Sequence, residues 1–399
     1  MTAEELFRRY GLTRVINASG TMTSLGASRV IPEAIEAGAA IQSEFVRIDE
    51  LQARASRVIA RLTGAEAGFV AACSAAGMSQ SVAACVTGAN LARIERLPDV
   101  EGLPDEVLVQ AGHLVHYGAP IEQSVTITGA RVVPLGTAAR VEAFHLEDRI
   151  GEKTAAALFV VSHHVVQEGQ MLLADFVAIC KGRGVPVIVD MASEYDLTGP
   201  IALGVDLVVY SGHKFLGGPT AGIVAGRKDL VRAAYLQNRG IGRPMKVGKE
   251  GVVGTMAALE AWERRDHAAA RERELANVRH WMEALAGVPG LRLDIHPDWT
   301  GNPIDRLKIT VVAKEAGLHA WELADRLASG RPSIQVRDDL IEHGCFFLDP
   351  CNLTAEEAAI VGRRIEEEVA SAQRRGDGLV VSLSERRKGR VEAGLKWPD

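Results

Sequence analysis

Short apolar runs alternate along the chain with longer segments in which apolar positions recur every three or four residues. Such runs are typical of buried parallel strands, and the segments between them are long enough for helices. Seven strands are predicted in this way, one through Phe69–Ala71 and six near residues 108, 132, 157, 186, 207 and 221, at VLVQ, RVVPLG, AALFVVSHH, PVIVD, LVVYSG and AGIVAG. The pattern therefore predicts an α/β domain, with a mostly parallel sheet covered by helices.

A smaller α+β domain is predicted toward the end of the chain. The helical pattern of residues 254–287 leads to four strands and two helices, at LRLDI, RLKITVV, SIQVR, CFFLDP, HAWELADRLA and TAEEAAIVGRRIEEEVASA. The charged tail SERRKGRVEAGLKWPD is expected to be an exposed terminus. Helices are also predicted over residues 2–10 and 32–64. We expect an N-terminal segment that packs on both domains (1–45), a large domain (46–255), and a linking helix with the small C-terminal domain (256–399).

Composition and charge narrow the class of protein. The 399 residues are 47% hydrophobic and 24% charged, with a formal net charge of −6. These values are typical of an ordinary soluble globular protein, and the acidic balance gives no indication of nucleic-acid binding. No stretch is apolar enough to cross a bilayer and no signal-peptide pattern opens the chain, so a cytoplasmic location is expected. The five cysteines have neither metal-ligand spacing nor a disulfide framework, which favours reduced thiols and no metal site.

Two predicted strand ends carry the candidate chemistry. Lys214 follows LVVY in a Ser-Gly-His-Lys turn, and Asp190 ends the run VPVIVD. Burial disfavours the ammonium form of a lysine and leaves an amine able to attack a carbonyl. Pyridoxal phosphate needs this pair, because the lysine forms a Schiff base and the carboxylate keeps the pyridine nitrogen protonated. Taken alone, the two residues are equally typical of a solvated lysine and a helix cap.

A phosphate-binding turn is predicted ahead of these two residues. The apolar run through Phe69 breaks at Cys73, and Ser74, Ala75 and Ala76 begin a helix of small residues. Small residues let backbone N–H groups at a helix N-terminus approach a phosphate, and the helix dipole favours the negative charge. Such a turn by itself usually reflects close packing. In this order along the chain it completes a set of three features that predicts pyridoxal phosphate.

Four motifs carry a family resemblance over about residues 12–370: INASGT, ELQARASRVIARLTGAEAGFV, SGHKFLGGPTAGIVAG and GIGRPMKVGKEGVVGTMAALEA. The chain resembles fold-type-I pyridoxal-phosphate enzymes and, among them, the selenocysteine synthase (seryl-tRNA selenium transferase) family, in its tRNA-independent branch. The resemblance implies an aspartate aminotransferase-like fold, with a mostly parallel seven-stranded sheet in the large cofactor-binding domain. INASGT begins at Ile16, which leaves no room for an N-terminal tRNA-binding domain, so no nucleic-acid partner is expected.

The resemblance also implies roles for residues of the cofactor site. Lys214 would form the Schiff base and then remove the α-proton, and Asp190 would pair with the ring nitrogen. The phosphate would be held by Ser74, Ala75, Ala76, Ser211 and His213. His113, in AGHLVHYG, would stack on the cofactor ring, with His116 and Tyr117 in reserve. The competing interpretation of His113 is a satisfied histidine in the core.

Cationic residues are expected to hold an anionic substrate. Arg337 lies where fold-type-I enzymes often place the arginine that clamps the substrate carboxylate, and Arg331 is its rival. Arg243, Lys246 and Lys249 lie in a glycine-flanked loop that reaches a neighbouring subunit's site in similar enzymes; a solvated turn is the alternative. We therefore expect a homodimer or higher homo-oligomer with shared active sites.

The expected reaction is α,β-elimination on a small amino acid or a phosphorylated amino-sugar acid, which releases a 2-oxo acid and ammonia. Lys214 or His163 would protonate the leaving group, and the sequence leaves open whether His163 or His164 faces the substrate. Racemisation and β-replacement share the same carbanion, and aldol cleavage would use His113 or His116 as the base. A hypothesis of another class is a non-catalytic protein that binds the cofactor and an amino acid.

Overall fold

The computed structural model describes residues 2–376 and 378–398, whose contacts divide the chain into two compact units. The large unit is Arg29–Arg265, and the terminal unit combines residues 2–28 with the described residues from 266 onward. The sequence pattern placed the boundaries at 45/46 and 255/256, whereas the contacts place them at 28/29 and 265/266.

Strands and helices alternate through most of the chain. The strands are β1 (Val15–Ala18), β2 (Ala67–Ala71), β3 (Glu106–Gln110), β4 (Arg131–Leu135), β5 (Thr154–Val160), β6 (Val187–Asp190), β7 (Leu207–Ser211), β8 (Gly222–Gly226), β9 (Leu291–Pro297), β10 (Asp305–Val311), β11 (Ser333–Val336) and β12 (Cys345–Leu348). The helices are α1 (Ala3–Tyr10), α2 (Pro32–Gln42), α3 (Ile48–Thr63), α4 (Ser74–Thr87), α5 (Leu91–Arg96), α6 (Ile121–Thr126), α7 (Ala143–Arg149), α8 (Leu173–Gly182), α9 (Gly199–Leu203), α10 (Lys228–Leu236), α11 (Lys249–Arg264), α12 (His267–Leu285), α13 (Ala313–Ala316), α14 (Ala320–Ser329), α15 (Ala355–Arg375) and α16 (Leu383–Leu395).

The large unit contains the seven-stranded sheet that the apolar runs predict, in the order β2-β8-β7-β6-β5-β3-β4. Neighbouring strands from β4 to β7 pair in parallel, and β8 is antiparallel to both β2 and β7. Because β8 reverses between them, β2 runs in the same direction as β7. The carboxyl ends of β2 through β7 therefore all lie at one edge of the sheet, which we call the C-edge.

Both faces of this sheet are covered, which explains why its strands are apolar throughout. Alternate side chains of the strands pack against α3, α8 and α11 on one face and against α4, α6 and α10 on the other. Phe176 of α8 and Met78 of α4 are examples of fully buried contributions to the two faces. This arrangement is typical of helix-covered parallel sheets and confirms the predicted α/β class.

The terminal unit contains a three-stranded antiparallel sheet, β12-β10-β9, and a parallel pair, β1-β11. Its core surrounds Trp281 of α12, whose indole N–H donates to the carbonyl of Ala358 in α15 at 2.8 Å. The four strands and two helices predicted for the small domain are all present here.

Two predicted helices differ from the structure. The helix expected over 32–64 is two helices, and α3 begins anew with Asp49 and Glu50 in its first turn, where exposed N–H groups favour acids. The helix expected over 254–287 is divided by Asp266, whose side chain caps α12 by accepting from the N–H of Ala269 at 2.9 Å. The tail, expected to be an exposed terminus, is exposed apart from Arg386 and forms the helix α16. Of the helices in the described residues, none is both long and apolar enough to cross a membrane.

Candidate active site

The structure brings Asp190 and Lys214 to the C-edge of the large unit. Asp190 ends β6, and Lys214 follows the adjacent parallel strand β7 after a tight turn. The turn is closed by hydrogen bonds from the N–H of Gly212 to the carbonyl of Ala221 (2.8 Å) and from that of Gly217 to the carbonyl of Lys214 (3.0 Å). Gly217 has φ of +66°, so a residue without a Cβ is needed there. The carboxyl ends of neighbouring parallel strands are where such sheets bind ligands.

The electrostatics of Asp190 fit a cationic ligand atom. The side chain is buried, and its Oδ1 accepts a hydrogen bond from the N–H of Ala192 at 3.1 Å. Burial raises the pKa of Asp190 above its ordinary value, although the nearby charge of Lys214 opposes the shift. A buried carboxylate in this state is stabilised by an additional N–H cation, which is what a protonated pyridine nitrogen offers.

The predicted phosphate turn lies at the same edge, between β2 and α4. Cys73 is the N-cap of α4, and its Sγ accepts from the N–H of Ala76 at 3.4 Å. The first N–H groups of a helix have no intrahelical acceptor, which leaves those of Ser74 and Ala75 for a ligand. Gly222 of β8 lies directly against this turn, because a Cβ on it would meet the carbonyl oxygen of Cys73 at 2.1 Å.

Ser211 and His213 provide the second part of the predicted phosphate site. Both are buried, with 3.0 Å between Ser211 Oγ and His213 Nδ1. Burial, and then the charge of Lys214, lower the pKa of His213, which favours its neutral form. Its Nε2 is buried and has no hydrogen-bond partner among the described residues. An unsatisfied imidazole nitrogen beside a helix N-terminus suits a ligand oxygen, so the residues present fit pyridoxal phosphate.

His113 has the environment of a core histidine. It lies in a short 3-10 turn after β3, where its Nδ1 accepts from the N–H of Val160 at 3.1 Å. Its ring packs edge-on against Phe159, with 4.5 Å between centroids. Burial lowers the pKa of His113 to about 4. These contacts match the competing interpretation of this residue, and its stacking on the cofactor ring stays a prediction.

Tyr117, the reserve candidate for stacking on the ring, is influenced by the charge of Asp190. Its phenol oxygen is 3.1 Å from Ser124 Oγ on α6. Burial raises the pKa of Tyr117, against the effect of the bond to Ser124, and the charges of Asp190 and Cys73 raise it further. Because Asp190 and Cys73 both act on the phenol, Tyr117 lies within electrostatic reach of the ring-nitrogen site and the phosphate turn. Sequence patterns contain no signal that separates it from His113.

The paired histidines and the cationic loop also belong to the large unit. His163 and His164 follow β5 at the C-edge, with 3.7 Å between ring centroids; the first is half-buried and the second exposed.

A cavity of about 550 Å³ lies between α2, α11 and the phosphate turn, and its lining includes Ala72, Lys246 and Glu250.

The three cations of the loop differ in their surroundings. Arg243 and Lys246 are exposed and bond no acidic side chain among the described residues. The ammonium of Lys249 instead donates to the carbonyl of Glu44 and lies 5.8 Å from the ring centroid of Phe45. Lys249 is therefore the least available of the three to an anion.

The two candidate carboxylate-binding arginines are in the terminal unit. Arg337 is buried, its Nε donates to Asp339 Oδ2 at 2.8 Å, and its guanidinium lies 5.3 Å from the ring centroid of Trp299. Arg331 is exposed. Only Arg337 is held in a defined orientation, which a carboxylate-binding fork requires.

Comparison with known proteins places these observations in a family. A family profile described as L-seryl-tRNA selenium transferase matches residues 15–285. The chain is 39% identical to D-glucosaminate-6-phosphate ammonia lyase of Salmonella typhimurium over 362 residues, which cover 91% of this chain and 97% of that protein. It is 36% identical to a 5'-C-glycyluridine monooxygenase-decarboxylase of a Streptomyces species over 363 residues, which cover 90% and 91%.

Solved structures agree with the sequence comparison. A structure of D-glucosaminate-6-phosphate ammonia-lyase is similar with a TM-score of 0.84 and 38% identity, covering 93% of this chain and 100% of that one. Aspartate aminotransferase of Thermus thermophilus has a TM-score of 0.55 at 14% identity, over 92% and 94%, and shares the fold alone. The predicted fold-type-I architecture is thereby confirmed.

Proposed function

We propose a substrate and residue roles for a chain that belongs to the L-seryl-tRNA selenium transferase family and is a fold-type-I, pyridoxal-phosphate-dependent lyase. The proposed substrate is a phosphorylated amino-sugar acid such as D-glucosaminate 6-phosphate, and the products are a 2-oxo acid and ammonia. Similarity to the ammonia lyase over nearly the whole chain supports this choice. The observation that carries the chemistry is the buried Asp190 beside Lys214 at the C-edge.

The proton transfers are assigned to residues of the C-edge. Pyridoxal phosphate, when bound, supplies an aldehyde for the substrate amine and a ring that accepts the electrons released at Cα. Lys214 would hold the cofactor through its amine and, once the substrate amine replaces it, accept the Cα proton. Asp190 would favour the protonated form of the ring nitrogen. The hydroxyl leaving Cβ takes its proton from Lys214 or from His163.

Binding of the cofactor is assigned to groups with spare hydrogen-bonding capacity. The N–H groups of Ser74 and Ala75 and the Nε2 of His213 would hold the phosphate, with Ser211 orienting the imidazole. Tyr117 would face the ring, because its phenol is influenced by both Asp190 and Cys73. His113 would help to fix the C-edge, because its Nδ1 accepts a hydrogen bond from the backbone of β5.

Binding of an anionic substrate is assigned to three arginine and lysine residues. Arg337 would bind the carboxylate with the part of its guanidinium that Asp339 leaves open. Arg243 and Lys246 would bind the substrate phosphate, because both are exposed cations without an acidic partner in the described part of the chain.

We also propose a cytoplasmic homodimer in which the loop of Arg243 and Lys246 completes the partner's site. The five cysteines are free thiols, which fits a reducing compartment. Phe45, between α2 and α3, is fully exposed, and Ile35 is 56% exposed nearby in the chain. Large exposed apolar side chains are typical of surfaces that another subunit covers. Mixing inactive Lys214→Ala and Arg243→Ala proteins should restore activity, and no restoration would contradict a shared site.

The direct test is product analysis with the purified holoprotein and D-glucosaminate 6-phosphate. We expect equimolar 2-oxo acid and ammonia, and no product from Lys214→Ala. Exchange of the Cα hydrogen with solvent without product would instead indicate a racemase. Oxygen-dependent release of carbon dioxide would indicate the chemistry named for the Streptomyces relative, and a spectral change without turnover would indicate a binding protein.

A further inference from the structure

The C-terminal helix α16 is attached to the terminal unit mainly through arginines. Arg386 is 7% exposed, and its Nε is 2.9 Å from each carboxylate oxygen of Asp325. Its Nη2 donates to Asp338 Oδ2 at 2.9 Å, and Nη2 of Arg390 donates to the same oxygen at 2.7 Å. Asp338 directly follows Arg337, so α16 bonds the segment that carries the residue proposed to bind the substrate carboxylate.

The segment before α16 is held by polar bonds as well. Glu322 of α14 accepts from the N–H groups of Leu379, Val380 and Val381, at 2.9, 3.0 and 3.3 Å. Of the apolar side chains of the helix, Leu383 packs against the core of the terminal unit, whereas Val391 is 64% exposed and Leu395 is 81% exposed. A helix with so little buried apolar area depends on its ionic contacts, and Arg386 makes the most buried of them.

Arg337 has two acidic neighbours, Asp339, which accepts from its Nε at 2.8 Å, and Asp349, whose Oδ2 lies 3.9 Å from its Nη1. Asp338 and Asp339 follow it in the chain, and Asp339 alone bonds its Nε. The Asp338 carboxylate instead accepts hydrogen bonds from Arg386 and Arg390. The backbone of Arg337 is fixed on the other side by two hydrogen bonds with Phe347, at 3.0 and 2.8 Å.

We propose that Arg386 is a positioning residue for substrate binding, which acts by holding Asp338 so that Arg337 keeps one orientation. The inference rests on the proposed role of Arg337. Without Arg386, the Asp338 carboxylate is less neutralised and competes with the substrate carboxylate for the Arg337 guanidinium. A residue that binds the substrate carboxylate stabilises the ground state and the transition state alike. Misplacing it therefore raises KM and leaves kcat largely unchanged.

The test compares neighbouring variants of α16 in the holoenzyme with D-glucosaminate 6-phosphate as substrate. We expect Arg386→Gln to raise KM about tenfold and to change kcat less than about twofold. Arg387→Gln is the matched control, because it removes the same charge from the same helix while its acidic partner is Glu342, at 3.7 Å. Asp338→Asn keeps the Arg386–Asp325 pair and removes the carboxylate that would compete for Arg337, so we expect it to leave KM near the wild-type value.

A double-mutant cycle separates this inference from the function on which it rests. In an Arg337→Gln background, Arg386→Gln should have no further effect on KM, because the residue through which it acts is gone. Full additivity of the two changes would overturn the inference. An Arg337→Gln protein with unchanged KM would instead overturn the carboxylate role, and the positioning role with it.

Hydrogen exchange of the ligand-free protein gives a readout that does not depend on turnover. Amides of residues 334–340 should exchange faster in Arg386→Gln than in the wild type or Arg387→Gln. Equal exchange in all three proteins would contradict the inference even if KM changed.

Discussion

Two buried aspartates, one in each unit, have opposite pKa shifts. Asp190 has a raised pKa because burial outweighs the single nearby lysine. Burial also acts to raise the pKa of Asp349 in the terminal unit, but Arg306 and Arg337 hold it below the ordinary value. Arg306 is 2% exposed, and its Nε donates to Asp349 Oδ2 at 2.7 Å. The comparison separates a charge network that the protein neutralises by itself from a carboxylate that a bound cation would stabilise further.

The largest effect is expected at Lys214, the lysine near Asp190 at the C-edge. Lys214→Ala should lower kcat/KM on the order of 10⁴-fold, because it removes both the cofactor anchor and the base for the Cα proton. The unfolding midpoint of the apoprotein should change little. Borohydride reduction and peptide mapping of the wild type should label position 214, and labelling elsewhere would refute the assignment. Lys228→Ala, an exposed lysine in α10, is the control.

Breaking the charge network of Asp349 and Arg306 in the terminal unit should mainly affect stability. Asp349→Asn is expected to lower the free energy of unfolding by about 3–5 kcal/mol, because it leaves Arg306 buried with only part of its charge neutralised. Since the folded pKa of Asp349 is depressed, its contribution is present above the unfolded pKa and is lost as pH falls through the folded value. Urea unfolding at pH 7 measures the change, and an unaltered midpoint would show that the network contributes little.

The same substitution at Asp190 should have the opposite sign on stability. Asp190→Asn is expected to stabilise the apoprotein at pH 7 by about 1 kcal/mol, because a buried charge is removed. Since its folded pKa is raised, the wild-type apoprotein should lose stability as pH rises through that value. Activity should fall about a hundredfold. If both Asn variants destabilise equally, the distinction between the two aspartates is wrong.

The smallest effect is expected at the C-terminal segment. Glu322→Gln should weaken attachment of residues 379–381 by about 1–2 kcal/mol, because three backbone N–H groups lose a charged acceptor. Limited proteolysis should then remove α16 faster than in the wild type. Backbone and His319 hydrogen bonds outweigh burial and lower the pKa of Glu322 to about 2. In the wild type, residues 379–381 should therefore detach from Glu322 only as pH falls from about 4.5 toward 2.

The sequence predicted the parts of the fold that depend on continuous apolar runs. The seven strands of the large unit follow from such runs, and Asp190 and Lys214 follow from their ends. Tertiary contacts have no comparable signal. The difference between His113 and Tyr117 depends on how the turn after β3 lies against β5 and α6, which no local pattern records.

Two features that were not predicted had readable local signals. The division between α11 and α12 is marked by the capping aspartate Asp266. The helix α16 is marked by a capping box of Ser382 and Glu385. The high charge of the tail predicts an exposed terminus, which holds for every described residue of the tail except Arg386. The burial of Arg386 depends on Asp325 and Asp338, which are distant in the sequence.

The antiparallel strand β8 sets the distance between the phosphate turn and the turn that carries Lys214. Since it lies between β2 and β7, the phosphate turn and the lysine turn are two strand widths apart, on the order of 10 Å. Gly222 fixes one side of this gap by its contact with Cys73. Neither anchoring point can shift without moving the strand shared by both, so the length of ligand that spans them is determined by the sheet rather than by any loop.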